Sequence, residues 1–221
     1  MGVGKVDVRG NSFIGAFGLA TDSFSLIGNS LSAGNEKMVN EFLGVDTARI
    51  SIDGSDLIGV YAVANSNAVL LPEITTDLEL KNARSLLPNV RVEAFRTDLN
   101  ALGNNILAND KIALVNSAYS GEEEKRIGDA LGVETLKLDI GGLPTVGASN
   151  ILTNKGIVLN NRASEQEIEA VAKRISSYSQ STANLGSLSI RLSAISNSRG
   201  LLVGSETTGF EMARIAEGLG L

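Results

Sequence analysis

The side chains in this chain best suited to acid–base or metal chemistry are carboxylates. Its 221 residues include no histidine and no cysteine, which excludes Ser-His and Cys-His nucleophile pairs, imidazole acid–base catalysis and thiolate metal sites. Paired carboxylates can still exchange protons or bind a cation. The candidates for that chemistry are the run Glu122–Glu124, the pair Asp53 and Asp56, and Asp98.

Each of these candidates also has a simpler interpretation. Glu122–Glu124 follows Ser120, and a hydroxyl followed by early carboxylates is typical of a helix N-terminus, while the aspartates lie in stretches that we interpret as solvated loops. Gly15-Ala-Phe-Gly18 begins like a dinucleotide-binding loop but lacks the third glycine. Neither a Ser-x-x-Lys sequence nor a phosphate-binding loop is present. We therefore predict that the protein is not an enzyme and has no cofactor and no resident metal ion.

The elements that must position these side chains repeat at a fixed interval. Gly15, Gly59, Gly103 and Gly147 are 44 residues apart, and each of these marker glycines follows an apolar residue. A second series, in which a polar residue ends an apolar stretch, consists of Thr21-Asp22, Asn65, Asn109, Asn154 and Asn197. Self-similarity at a fixed period indicates a repeat architecture. The sequence therefore predicts five copies of one unit rather than a domain with a single cleft.

Each unit is predicted to contain two strands, a helix and a third strand. Alternating apolar residues such as Ile50 and Ile52 indicate a half-buried strand before the marker glycine. Apolar runs at 60–64 and 68–71 indicate a strand that begins just after the glycine and a second strand beside it. Apolar residues at helical spacing over 168–175 indicate the helix. The predicted units are 12–55, 56–99, 100–143, 144–186 and 187–221, with residues 1–11 as a separate N-terminal strand.

The last unit is short and lacks its final strand, whereas the first residues supply a strand that no unit needs. Val8 precedes Gly15 by seven residues, as Ile52 precedes Gly59. We therefore predict that the strand Lys5–Arg9 completes the fifth unit and closes a ring. Closure removes the exposed ends that an open repeat array must cap. The alternative is an open array with a frayed N-terminus.

Several strings of residues resemble translation initiation factor 6, and they cover essentially the whole chain in order. The chain stops soon after Ala216-Glu-Gly-Leu-Gly220, which makes the resemblance one to the archaeal form. Phe210 departs from the pattern, since archaeal members tend to have proline there. The strings are Gly54-Ser-Asp-Leu-Ile-Gly59, Asn100-Ala-Leu-Gly-Asn104, Leu143-Pro-Thr-Val-Gly147, Thr182-Ala-Asn-Leu-Gly186 and Glu206-Thr-Thr-Gly209.

The resemblance implies a fold and a function. The fold is the pentein, an α/β propeller of five ββαβ-type repeats around a pseudo-fivefold axis. The implied function is that of a ribosome anti-association factor, which binds the large ribosomal subunit, prevents premature joining with the small subunit and takes part in large-subunit biogenesis. Other penteins modify guanidino groups with a catalytic cysteine and a histidine, neither of which is present in this chain.

The binding face is predicted at the end of the ring where the residues after the marker glycines converge. Small, partly apolar and nearly uncharged side chains at one end suit contact with a protein, and the resemblance places Asn104 among the ribosome-binding positions. Close packing at the axis is the alternative reason for the small residues. The predicted face consists of Ala16, Val60, Asn104, Ala148, Ser149, Ser187, Leu188 and Arg191.

The net charge of −6 opposes general attraction to phosphates. Proteins that bind nucleic acid normally neutralise the phosphate charge with lysine and arginine. We therefore predict docking onto a basic ribosomal protein near the sarcin–ricin loop, with limited rRNA contact through Arg191, Arg199 and Lys155. The alternative is a non-catalytic ring scaffold that binds another protein or nucleic acid. DNA is not expected as a partner because five small units enclose only a narrow channel. A cytoplasmic monomer without a membrane segment is predicted.

Overall fold

Short strands and helices recur five times in a computed structural model that describes residues 2–221. The strands nearest the axis, the inner strands, are Gly18–Ala20, Val63–Ala64, Ile106–Ala108, Ile151–Leu152 and Ala194–Ser196. The middle strands are Phe24–Ile27, Ala68–Pro72, Ile112–Val115, Gly156–Asn160 and Gly200–Gly204. The outer strands are Asp46–Arg49, Arg91–Phe95, Glu134–Lys137, Ser177–Ser181 and Gly2–Val6. The helices between middle and outer strands are Ala33–Leu43, Asp77–Leu86, Gly121–Leu131, Glu165–Ala172 and Gly209–Leu219.

Every sheet has the same three-stranded topology. The inner strand pairs antiparallel with the middle strand, as Val63 does with Leu70, and the outer strand pairs parallel with the middle strand, as Arg91 does with Ala68. A parallel partner requires a crossover, which each helix supplies. Because the middle strand is covered on both faces, all its residues are buried, as in Ala68–Pro72.

The apolar core is divided among the seams between units. One cluster joins Leu26 and Ile52 of the first unit to Ile58 and Leu71 of the second, and four similar clusters follow around the ring. No cluster belongs to a single unit. Each unit therefore depends on its neighbours to bury its apolar face, as expected for a repeat protein.

The N-terminal segment closes the ring as predicted. Gly2–Val6 pairs parallel with Gly200–Gly204, with Gly2 opposite Gly200, and thus supplies the outer strand of the fifth unit. The five-unit α/β propeller is confirmed. The strand begins and ends earlier than the predicted Lys5–Arg9, because Val8 forms a separate bridge with Asn11. Met1, included in the predicted segment 1–11, lies outside the described residues.

Two predictions about the segments around the marker glycines were wrong. Ile50 and Ile52 follow the outer strand Asp46–Arg49 rather than forming it, and Ile52 makes an isolated bridge with Ser55. Both isoleucines are buried in the seam between units, which explains the alternation without a sheet. The residue after each glycine lies in a short helical turn, so it does not begin the inner strand.

Candidate functional site

The ring presents two faces of different construction. One, the turn face, carries the helix N-termini and five short helical turns: Ile14–Ala16, Ile58–Tyr61, Leu102–Asn105, Val146–Ser149 and Arg191–Ser193. The other, the hairpin face, carries the helix C-termini and the connections between inner and middle strands at 21–23, 65–67, 109–111, 153–155 and 197–199. Neighbouring helical turns contact each other around the whole ring.

The marker glycines allow the helical turns to meet at the axis. A methyl group on Gly59 would overlap the Gly15 carbonyl oxygen, and one on Gly103 would overlap the Gly59 carbonyl oxygen. The same relation joins Gly147 to Gly103. Each glycine is therefore required because the backbone of the preceding unit occupies the place of a side chain.

The fifth marker position holds an arginine. Arg191 lies 44 residues after Gly147, and its backbone carbonyl oxygen packs against Gly15 as the glycine carbonyls do in the other units. Its side chain turns inward. Nη1 donates to the Gly59 carbonyl oxygen at 2.7 Å and to that of Gly103 at 3.5 Å, and desolvation lowers the pKa of the guanidinium to about 10. Arg191 thus bonds across the axis inside the ring.

The other predicted positions lie together at the turn face but differ in burial. Ala16, Ala148 and Ser149 are almost fully buried, at 9%, 6% and 2% exposure. Val60, Asn104, Ser187 and Leu188 are half-buried. In the fifth unit the position equivalent to Val60 is held by Leu192, which is also half-buried. The 44-residue spacing identifies it, because Leu192 follows the fifth marker position, 44 residues after Gly147.

Asn104 has an unusual side chain among these positions. Its Oδ1 is buried and has no hydrogen-bond partner within the described chain, whereas buried polar atoms are normally paired. Its backbone N–H donates to Ala101 O at 3.0 Å, so the short turn fixes the residue. An unsatisfied amide in a well-fixed turn favours a role for Asn104 beyond packing.

The largest exposed apolar side chains of the turn face lie outside the predicted set. They belong to the loops and first helical turns around the axis: Phe13 at 37%, Ile74 at 38%, Leu78 at 78%, Leu185 at 71% and Phe210 at 77% exposure. Sequence reasoning missed them because an apolar residue type alone indicates burial. For Phe210, the departure from the family pattern was the available signal.

At the seam between the fourth, fifth and first units, hydrogen bonds join the loops that carry three of these side chains. Asn184 donates to Ser12 O at 2.8 Å, and Gly186 N donates to the Glu211 carboxylate at 2.9 Å. These bonded residues are the chain neighbours of Phe13, Leu185 and Phe210, which we call the seam patch. Asn184 and Leu185 have φ of 47° and 61°, a left-handed conformation that costs a leucine about 1–2 kcal/mol. The fold therefore holds Leu185 exposed at a cost in backbone energy.

The turn face as a whole is acidic. The exposed carboxylates in the loops and first helical turns of the turn face are Asp7, Asp53, Glu73, Asp77, Asp98, Glu122, Glu165 and Glu206. The exposed arginines of the same loops are Arg9, Arg96 and Arg162. The face thus carries excess negative charge, which attracts a basic partner.

Further carboxylates have structural roles. Glu79, Glu123, Glu167 and Glu211 complete helix capping boxes, which confirms the interpretation of Glu122–Glu124 as a helix start. Glu79 also accepts hydrogen bonds from Ser51 and from Gly54 N in the preceding unit. Desolvation opposes its ionisation, but the bonds from Gly54, Ser51 and Thr76 outweigh that effect and lower the pKa of Glu79 to about 2.

Two of the remaining sequence candidates for metal binding, Asp53 and Asp56, take part in hydrogen bonds. Asp56 accepts from Asn29 N and from the Ser30 hydroxyl, while Asp53 donates its backbone N–H to Glu79. Within residues 2–221, no group of three or more acidic side chains is arranged to hold a metal ion. None of the helices in that range has the length and apolar composition needed to cross a membrane.

At the hairpin face, side chains of one unit bind the backbone of the next. Asn65 donates to Asn109 O at 3.3 Å and Asn109 to Thr153 O at 2.9 Å. Asn197 donates to Thr21 O at 2.9 Å, which joins the fifth unit to the first. The second series of polar residues found in the sequence is thus a set of bonds between units.

Comparison with known proteins agrees with the resemblance found in the sequence. A model described as the eIF-6 family matches residues 3–218. The chain is 38% identical over 227 residues to translation initiation factor 6 of Pyrococcus abyssi (strain GE5 / Orsay), covering 100% of both chains. It is 39% identical over 220 residues to that of Thermoplasma acidophilum, covering 96% of both chains.

Solved structures give a weaker likeness. DDAH from Pseudomonas aeruginosa in complex with citrulline has a TM-score of 0.49 and 13% identity, covering 97% of this chain and 76% of that chain. A likeness at this level carries no argument about activity. The family match and the archaeal relatives rest on nearly every residue, and they show that this chain belongs to the eIF-6 family.

Proposed function

We propose that this protein binds the large ribosomal subunit through its turn face and prevents the small subunit from joining. The observation that carries the proposal is the family match over residues 3–218, with relatives named translation initiation factor 6 aligned over their full length. Such a factor needs a rigid body and a competent surface. The ring supplies the first because every seam between units is an apolar core.

The turn face has the properties that favour it over the hairpin face as the binding surface. Its seam patch offers exposed leucine and phenylalanine, and aromatic anchors surrounded by polar residues are common where a few residues dominate binding energy. Its exposed carboxylates suit a basic ribosomal protein near the sarcin–ricin loop. Lys155 and Arg199, which were predicted to contact rRNA, lie at the hairpin face instead, so the rRNA contact of the turn face is limited. The half-buried Val60, Asn104, Ser187 and Leu188 complete the surface around the axis.

The same proposal assigns the protein no catalytic step. Members of the fold that act on guanidino groups use cysteine and histidine, and this sequence has neither. We therefore infer a non-enzymatic cytoplasmic factor that acts as a monomer, without DNA or a membrane as partner. Its binding to the large subunit also supports a part in the biogenesis of that subunit.

Sucrose-gradient sedimentation of purified archaeal subunits tests the proposal. At magnesium concentrations that allow joining, the protein is expected to co-sediment with the large subunit and to reduce the amount of full ribosomes. Phe210→Ala is expected to weaken this binding about tenfold, as loss of an interface aromatic does. Tyr178→Ala is the matched control, because Tyr178 is an aromatic residue with 52% exposure on an outer strand.

The outcomes separate the proposal from its alternative. If the protein stays at the top of the gradient while subunits join normally, the anti-association function is wrong and the ring-scaffold alternative takes its place. If binding occurs but Tyr178→Ala weakens it more than Phe210→Ala does, the function stands and the turn face is the wrong surface.

A further inference from the structure

The axis of the ring contains a small cavity next to a charged side chain. Its volume is about 40 Å³, and its wall is formed by the five inner strands together with Arg191. A cavity needs about 10–15 Å³ to hold one water molecule, so this one accommodates two or three waters, or an ion with a water. Residues such as Leu19, Val63 and Ile106 line it and contribute no side-chain charge.

The charge of Arg191 has no acidic partner in this cavity. Among the residues that line it, none is an aspartate or a glutamate. Only Nη1 of the guanidinium bonds to the described chain, to the carbonyl oxygens of Gly59 and Gly103. Although desolvation lowers the pKa of Arg191 to about 10, the side chain stays ionised at neutral pH. Charges removed from bulk water are normally paired, and here the half-buried guanidinium of Arg191 has N–H groups on Nε and Nη2 without a hydrogen-bond partner in the described chain.

The nearest carboxylates on the axis are already occupied. Asp22 and Asp110 lie at the hairpin face, around a second cavity of about 20 Å³. Asp22 accepts from Ser198 N and Asn154 Nδ2, and Asp110 accepts from Ser66 and from the same Asn154. An inner strand of about three residues, roughly 10 Å, separates that end from Arg191. These carboxylates therefore do not neutralise the guanidinium by contact.

The backbone of the wall adds donors. Each inner strand is at the edge of its sheet, so both the N–H and the C=O groups that do not face the middle strand lack a strand partner, and these N–H groups are available as donors. An arginine and unpaired N–H groups around a small space are the components of an anion site.

We propose that the axial cavity binds a small monovalent inorganic anion of the chloride class against the guanidinium of Arg191. The anion compensates the half-buried charge where the fifth marker position holds arginine instead of glycine. It couples the fifth unit to the second and third units through one ion-paired side chain. The site lies inside the ring, so it is independent of the binding proposed for the turn face.

Anomalous diffraction from crystals grown or soaked in sodium bromide tests the site directly. A bromide peak is expected on the axis, in hydrogen-bonding contact with Arg191 and enclosed by the inner strands. Water alone in the cavity, or bromide only on the outer surface, overturns the proposal. This test uses the unmodified protein and so does not depend on the folding of a variant.

Thermal unfolding in bromide supplies the second test. At ten times the dissociation constant, anion binding to the native state is expected to raise Tm by about 3–6 °C relative to gluconate at the same ionic strength, because gluconate is too large for the cavity. Arg191→Met is expected to lose the bromide-specific rise, and Arg162→Met, an exposed arginine, is expected to keep it. An equal bromide-specific rise in Tm in both variants contradicts the proposal. If Arg191→Met does not fold, the diffraction test alone decides.

Discussion

The turn face and the hairpin face join the same five units in different ways. At the hairpin face, asparagine side chains of one unit bond to the backbone of the next, as Asn109 does to Thr153 O. At the turn face, glycines of one unit pack against backbone carbonyls of the preceding unit, as Gly59 does against Gly15. The asparagines of the hairpin face are thus bonded between units, although the buried Ser198 hydroxyl has no partner in the described chain, while the turn face leaves apolar side chains and carboxylates exposed around a close-packed centre.

The difference indicates a division of roles within one repeat. A surface whose polar groups are already bonded gains little from a partner, since binding only exchanges one set of bonds for another. A surface with exposed Leu185 and Phe210 gains from burial. Both faces therefore hold the ring together, and the exposed apolar side chains make the turn face the surface that we propose for recognition.

The largest effect is expected from adding a methyl group at the centre of the turn face. Gly59→Ala places a Cβ on the Gly15 carbonyl oxygen, and the backbone must shift, so we expect a loss of about 3 kcal/mol or more in the free energy of unfolding. Urea denaturation measures it. Gly121→Ala is the control, because a Cβ there meets nothing within 4 Å. A Gly59→Ala protein as stable as that control would show that the helical turns are not close-packed.

A smaller loss is expected from breaking one bond of the hairpin face. Asn109→Ala removes the bond to Thr153 O and the two bonds that Oδ1 accepts from Lys111 N and Ile112 N. We expect a loss of about 2–3 kcal/mol, because buried backbone groups are left unpaired. Binding to the large subunit is expected to stay within twofold. Weakened binding with unchanged stability would reverse the roles assigned to the two faces. Asn89→Ala, at an exposed position, serves as control.

Acid is expected to loosen the turn face through Glu79. The pKa of Glu79 in the folded protein is lowered to about 2, so its contribution is fully present above its unfolded pKa and is lost as pH falls from about 4.5 toward 2. After allowance for solvent screening, Glu79→Gln is expected to lower stability at pH 7 by about 1–2 kcal/mol. It should also flatten the pH dependence in that window. Urea titrations from pH 7 to 2 measure both, with Glu206→Gln as the exposed control. Parallel curves for wild type and Glu79→Gln would contradict this role.

The smallest change in stability is expected from a substitution of Leu185, which should make the fold slightly more stable and weaken binding. Leu185→Gly relieves the left-handed backbone strain, and because glycine is more flexible when unfolded we expect a net gain of only about 0.5 kcal/mol. Loss of the exposed side chain is expected to weaken large-subunit binding about fivefold. Denaturation and co-sedimentation measure the two effects. A variant that is less stable yet binds normally would make Leu185 a packing residue.

The parts of the fold that follow from local steric rules could be predicted from the sequence. Gly59 and its equivalents recur because each unit has the same close backbone approach, so their period gave the ring and its number of units. The strand predicted at Ile50 and Ile52 was misplaced because the alternating burial there arises from the isolated bridge of Ile52 with Ser55, in the seam between two units. That seam joins the first unit to the second, so the burial of Ile50 and Ile52 depends on packing between units rather than on pairing within a sheet.

The candidate site was harder to predict for two physical reasons. Arg191 occupies a position whose backbone role is that of a glycine, and only its spacing, not its residue type, reveals this. Exposure of Leu185 and Phe210 depends on hydrogen bonds made by their chain neighbours, Asn184 and Glu211. Such bonds join loops more than twenty residues apart, so no local pattern carries them.

Closure by Gly2–Val6 also sets an order of events during synthesis. This segment leaves the ribosome before the strand that it pairs with, Gly200–Gly204, and four units of the ring are synthesised between the two. The segment must therefore wait, unpaired, while four units form, and the slow long-range pairing comes at the end of folding. Under the proposed function, a nascent chain that lacks the complete ring competes poorly for the ribosome that is making it.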